Sequence, residues 1–215
     1  CPADFTPEQG LSGDRETAVA QAVAEAIRQH GITTIRADRT LALSFIDALR
    51  KAAISIDYDP DLGVHARRHK DAEELDALRA AQRDTQAAIA MACEVIANAT
   101  ADASGMLHCD GSPLTSERVR SLIDTHLLTR GYSNPTSIVA GGQYGADCHH
   151  HGTGTLRTEE PVIIDVFPRS KTSKYNGDCT RTVVHGSVPP VVQRMHDAVA
   201  DAKHAGEAAT HAGIT

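Results

Sequence analysis

The sequence predicts an α/β protein of the α+β type. Three observations predict it. Apolar residues recur at helical spacing over residues 15–29, 71–98 and 115–130. Short apolar runs of strand length, Ile54–Tyr58, Val162–Phe167 and Asp178–Val184, lie between segments rich in Asp, Pro and Gly. Helix and strand signals alternate through residue 58, whereas in the remainder helices come first and strands follow.

Each element has its own local reason. Ala18, Val19, Ala22, Val23, Ala26 and Ile27 form one stripe, which His30-Gly31 terminates. Ile32–Ile35 reads as a short strand. Thr40 is placed to cap a second helix reaching Ala52, and Ile54–Tyr58 is a second strand closed by Asp59-Pro60-Asp61. Arg67-Arg68-His69-Lys70 then reads as a solvated linker between two domains, residues 1–66 and 67–215. Asp71 with Glu74 forms a capping box before a long helix. Its stripe runs Leu75, Leu78, Gln82, Thr85, Ile89, Ala92, Cys93, Ile96 and is apolar except at Gln82 and Thr85. A further helix opens near Thr115 and stops before Gly131, burying Val119, Leu122, Ile123 and Leu127. Strands are expected at Ser137–Ala140, Val162–Phe167 and Asp178–Val184. Pro189-Pro190 opens a last helix to about Thr210.

Composition excludes several classes. Charged residues make up 23% and hydrophobic residues 41%, ordinary for a globular chain. The net charge of −7 argues against binding dominated by nucleic-acid phosphates. No apolar run approaches the roughly 20 residues of a membrane span, and Cys1–Gly13 does not have the pattern of a signal peptide. Five cysteines without a C-x-x-C pair argue against a disulfide framework and point to a reducing, cytoplasmic setting.

Chemistry concentrates between Gly141 and His185. Val162-Ile163-Ile164-Asp165 is an apolar strand ending on a carboxylate, and Asp178 follows thirteen positions later in Gly177-Asp178-Cys179-Thr180-Arg181-Thr182. Turn formers lie between them, so the simplest structure is an antiparallel hairpin with one Asp on each arm. Two ionised carboxylates that close repel each other, and a divalent cation removes the repulsion. Two unrelated surface acids are the plainer alternative. Upstream, Cys148-His149-His150-His151 would alternate faces if extended, so at most two of the histidines share a side. One facing the acids could bond a substrate oxyanion or hold a metal. His196, His204 and His211 lie on one side of the last helix and read as surface residues.

These residues resemble the creatinase/aminopeptidase P/methionine aminopeptidase superfamily, and within it the Xaa-Pro aminopeptidases and Xaa-Pro dipeptidases. Ile138-Val139-Ala140-Gly141-Gly142 followed by His149 looks like the loop and histidine preceding that family's metal site. Val162–Asp165 and Gly177–Thr182 look like its first two ligand strands. The resemblance implies the last part of a small α/β N-terminal domain over residues 1–66 and the first half of a pita-bread catalytic domain over 67–215. It implies that Asp165 and Asp178 are metal ligands and that His149 is the catalytic, substrate-binding or proton-handling histidine. The implied cofactors are two divalent metal ions, Mn2+ before Co2+ or Zn2+, activating a water. The implied partner is a peptide substrate, without nucleic acid or membrane, and with a homodimer left open.

This chain departs from that pattern in two respects. The Asp165–Asp178 spacing is about two residues longer than usual in the family, so the tip of the hairpin differs. The family's remaining ligands, one His and two Glu, lie in a second half that has no counterpart before Thr215. The chain is therefore expected to be a fragment that is inactive alone. Two function classes are carried forward. The first is a metal-dependent exopeptidase of Xaa-Pro type. The second is a non-catalytic relative that binds peptides or proteins, in a superfamily that also holds a metal-free amidinohydrolase. The paired acids favour the first, because a binding module does not need them.

Overall fold

Asp14 opens the first helix, α1 (Arg15–Gln29), by accepting the backbone N–H of Thr17 at 2.8 Å, as an N-cap carboxylate does. The structure, a computed structural model, describes residues 10–214. Cys1 and most of the polar opening segment therefore lie outside the described residues. The chain divides into two compact units between Lys70 and Asp71.

The first unit continues through β1 (Thr34–Ala37), α2 (Leu43–Lys51), β2 (Ser55–Tyr58) and a short α3 (Val64–Arg68). β1 and β2 pair in parallel, Thr34 opposite Ser55 and Ala37 opposite Tyr58. Ala20, Ala24, Ala48, Leu49 and Ile54 form its core, with Ile35 and Phe45 packed against them. Three local expectations are corrected. β1 starts two residues later than Ile32. Ala42, not Thr40, is the N-cap of α2, because the Thr40 hydroxyl and N–H both turn back to the Asp38 carboxylate. Part of the expected linker, Arg67-Arg68, is the end of α3.

The second unit begins with the predicted capping box. Asp71 accepts the N–H of Glu74, and the Glu74 carboxylate accepts that of Asp71, both at 2.9 Å. Helix α4 (Ala72–Ala97) then runs for 26 residues and buries Ala81, Thr85, Ala88, Ile89, Ala92 and Ile96. A small meander follows, β3 (Thr100–Ala101), β4 (Leu107–Cys109) and β5 (Ser112–Pro113), before α5 (Ser116–Thr129), which Thr115 caps. Next come β6 (Tyr132–Ser133), β7 (Ile138–Gly141), a 3-10 helix (Gly142–Ala146), β8 (Pro161–Val166), β9 (Arg169–Ser170) and β10 (Cys179–Val184). β7, β8 and β10 form one antiparallel sheet with β8 central. Val162, Ile164 and Val166 face a core that α4 and α5 cover with Ala88, Ile89, Val119, Ile123 and Leu127. Asp165 therefore points away from that core. The Tyr132 hydroxyl ties β6 to α4 by donating to Asp84 at 2.7 Å. Burial, and then this bond, push its phenol up to about 12.

Helix α6 (Pro190–Ala209) has Pro at its N-terminus as expected, and it buries none of its residues. No described helix is long and apolar enough to cross a membrane. Cys93, Cys109, Cys148 and Cys179 are all free thiols.

Candidate metal centre

The site starts from the register of β8 against β10. Thr180 is the direct cross-strand partner of Asp165, and its hydroxyl donates to Asp165 Oδ1 at 2.6 Å. Asp178 stands two residues before Thr180, just outside β10. One strand period separates the two, which puts residue 178 on the Asp165 side of the sheet. The carboxylates are thus diagonal neighbours across the ladder, a relation in which Cα atoms stand about 7–8 Å apart and Cβ atoms somewhat closer. Asp165 is half-buried and Asp178 exposed. The hairpin of the sequence is present, but its tip is structured. Arg169 pairs with Ser133 of β6, and a bridge joins Arg169 to Asn176.

Helix α4 holds the second carboxylate from behind. The Gln82 side-chain amide donates to the Asp178 carbonyl at 3.0 Å and accepts the Asp178 N–H at 3.2 Å. Three residues before Asp178, Tyr175 donates to Glu74 at 2.5 Å. Between these ties Gly177 is buried against the helix. A Cβ there would stand 2.0 Å from Thr85 Oγ1 and 2.6 Å from the Ala81 carbonyl. A cleft of about 540 Å3 opens beside Asp178, bounded by Ser133, Asn134, Pro135, Phe167, Arg169 and Asn176.

The histidines occupy a turn, so the face alternation of an extended segment does not apply to them. Asp147 accepts the backbone N–H of His149 at 2.9 Å and folds the turn. His150 stacks on Tyr144, ring centroids 4.4 Å apart and planes 9° from parallel. Its Nδ1 accepts the Gly152 N–H at 2.9 Å, which makes it a structural histidine. His149 is exposed. The loop is moored beside β7, where the Val139 N–H donates to the His151 carbonyl at 3.1 Å and Arg120 donates to the carbonyls of His151 and Gly152. Across the sheet the order is His149 loop, β7, β8 with Asp165, then β10, which Asp178 immediately precedes. Asp147, Cys148 and His149 each bring one donor atom within 4.8 Å of the others, the only such trio among the described residues. No described third ligand of that kind joins Asp165 and Asp178.

Sequence reasoning placed Thr180 in the motif but not its bond to Asp165, and it missed Gln82 and Arg120 as parts of this arrangement. Gln82 carried a signal, being a polar residue in an apolar helical stripe. Arg120 carried none.

Glu117 braces the same loop from α5, where its carboxylate accepts the Gly154 N–H at 3.2 Å. Burial pushes this carboxyl up. Its own backbone N–H, the hydroxyls of Thr153 and Thr115 and the Gly154 N–H outweigh burial and hold it down to about 2. A depressed carboxyl stabilises above its unfolded value of roughly 4.3 and ceases to do so as pH falls through the folded value. The wild type is therefore expected to exceed Glu117→Gln in stability at neutral pH. The difference should close between about pH 4.3 and pH 2, read from urea melts across that interval. A difference that persists at the acid end would contradict this.

The profile of metallopeptidase family M24 matches residues 76–215, and the chain belongs to that family. No curated protein matches it. Among solved structures it is similar to an X-Pro aminopeptidase from Thermotoga maritima MSB8, at 19% identity and a TM-score of 0.69 over 90% of this chain and 51% of that one. It is also similar to a prolidase from Pyrococcus furiosus, at 19% identity and a TM-score of 0.67 over 85% of this chain and 50% of that one. An Xaa-Pro dipeptidase from Bacillus anthracis gives 19% and 0.67 over 83% and 47%. The chain thus spans about half the length of these relatives and shares their fold, the pita-bread fold that the sequence resemblance implied.

Proposed function

We propose that this chain contributes half of the active site of an exopeptidase of Xaa-Pro type, with Asp165 and Asp178 as metal ligands and His149 as the histidine that meets substrate. Residues 1–66 would be the end of the preceding α/β domain and 67–215 the first half of the catalytic domain. The observation that carries the reading is the diagonal placement of Asp165 and Asp178 across one ladder, with Thr180 between them, in a chain of family M24.

The residues suit a divalent metal. Two carboxylates on one side of a sheet are a hard, all-oxygen donor set, which fits Mn2+ and accommodates Co2+ or Zn2+ less well. When bound, two such ions would supply an activated water and a Lewis acid for the scissile carbonyl. The chain's own residues do the rest. Thr180 fixes the Asp165 carboxylate by occupying one lone pair of Oδ1, leaving Oδ2 for a ligand. The cleft beside Asp178 is of a size to receive a short peptide end. His149, exposed on its moored turn, is available to donate a hydrogen bond to a substrate carbonyl.

The test is hydrolysis of Ala-Pro and Gly-Pro substrates with added Mn2+. The 215-residue chain alone is expected to show no turnover, because two carboxylates without an imidazole hold a hydrolytic metal weakly. A longer form of the protein that supplies further His and Glu ligands is expected to turn over, and Asp178→Ala to abolish it. Turnover by the chain alone that vanishes in Asp178→Ala would refute the ligand account. An inactive longer form with all its ligands would favour a binding function.

A further inference from the structure

We infer that Gln82 is the positioning residue for Asp178. The inference rests on the metal-ligand reading of Asp178 and deepens it.

A carboxylate at a strand end is aimed by its backbone. Asp178 lies one residue outside β10, so its N–H and C=O have no ladder partners of their own. The Gln82 amide supplies both missing partners, accepting from the N–H at 3.2 Å and donating to the C=O at 3.0 Å. A primary amide is the one neutral side-chain group with a donor and an acceptor side by side, so it can imitate a strand neighbour. Gln82 therefore extends the sheet order by one residue, across 96 positions of sequence.

The surrounding contacts show that the geometry is imposed and not incidental. Gly177 is pressed against Ala81 and Thr85, the residues flanking Gln82 on the same helix side. Tyr175 is tied to Glu74 two turns earlier. Glu74 in turn closes the capping box, so the start of α4 and the arm carrying Asp178 form one hydrogen-bonded frame. Within that frame Gln82 is the α4 residue that hydrogen-bonds Asp178 itself. Fixing the main chain of a ligand leaves its carboxylate fewer directions to sample. A metal that needs Asp165 and Asp178 to converge then pays less ordering entropy on binding.

The experiment compares Gln82→Met, Gln86→Met and Asp178→Ala in a longer form of the protein that supplies the further His and Glu ligands. Methionine keeps the length and helix propensity of glutamine and removes both hydrogen bonds. Gln86 is exposed on the same helix and serves as the control. Two quantities are read: Mn2+ binding by the EPR signal of free Mn2+, and hydrogen exchange at the Asp178 amide. Gln82→Met is expected to weaken Mn2+ binding about 10-fold, the lower end of the loss for an outer-shell partner, and to speed Asp178 exchange. Gln86→Met should change neither. Asp178→Ala should weaken Mn2+ binding more than Gln82→Met does. Unchanged Mn2+ affinity in Gln82→Met, with Asp178→Ala weakened, overturns the inference and leaves the metal reading standing. Unchanged affinity in Asp178→Ala overturns both. Equal loss in Gln82→Met and Gln86→Met would mark a general effect on the helix, and it too overturns the positioning role.

Discussion

Gly177→Ala is expected to destabilise the second unit by about 3 kcal/mol or more, beyond the ordinary cost of overpacking. The added Cβ would stand 2.0 Å from Thr85 Oγ1 and 2.6 Å from the Ala81 carbonyl. Neither atom can step aside cheaply. The Thr85 hydroxyl is bonded to that same carbonyl at 2.8 Å, and the carbonyl belongs to the backbone of α4. The strand must therefore lift off the helix, which breaks the Gln82 clamp and separates Asp178 from its support. In a domain of this size the thermal midpoint should fall by roughly 6–12 °C. Adding Thr85→Ala should recover only part of the loss, because the helix carbonyl remains. A cost below about 1 kcal/mol, within the range of an uncrowded surface change, would show that the hairpin does not seat on α4 this closely.

Gly152→Ala is expected to be as damaging, for a different reason. Gly152 has φ +80°, and its Cβ would meet the Val139 carbonyl oxygen at 1.8 Å and the Ala140 Cα at 2.9 Å. The substitution therefore combines left-handed strain of roughly 1–2 kcal/mol with collision against the backbone of the edge strand β7. Gly154 provides the control. It has φ +76° but open space around its Cβ position, so Gly154→Ala should show the strain alone. Urea melts of the two variants separate the terms. Equal losses would mean that the His149 loop moves freely away from β7.

Much of this was legible in the sequence where signals were local. The Asp71–Glu74 capping box, the Val162–Asp165 strand and the Pro190 helix start each need only neighbours within a few residues, and each was read correctly. The elements that were not read are of two kinds. β3, β5, β6 and β9 have two residues each, too few to show a period, and exist because a distant partner completes them. Thr40 looked like a helix cap, but Asp38 stands two residues away and takes its hydroxyl. For the histidine run, the sequence leaves the choice open between an extended segment and a polar loop, and a single Asx-type bond from Asp147 makes it a turn. In the candidate site, Asp165 stands out because it follows an apolar run, and Asp178 because turn formers separate it from Asp165 as on the two arms of a hairpin. Gln82 and Arg120 act on backbone atoms 96 and 31 positions away, and no sequence period carries that information.

Helix α6 spans 20 residues without one buried side chain, and that sets how the chain should melt. Its helicity rests on alanine-rich propensity and on pairs such as Lys203–Glu207 at 3.6 Å, each of a few tenths of a kcal/mol. Most helical stability in proteins comes from packing an apolar face on a core, and α6 buries no residue. Its amides should exchange at nearly the rate of an open chain, while those of α4 are protected by the core. Ellipticity should then decline gradually on warming before the cooperative transition begins. The far-ultraviolet signal and a probe in the α4 core will not superimpose, and a two-state fit to either one alone will misstate the enthalpy.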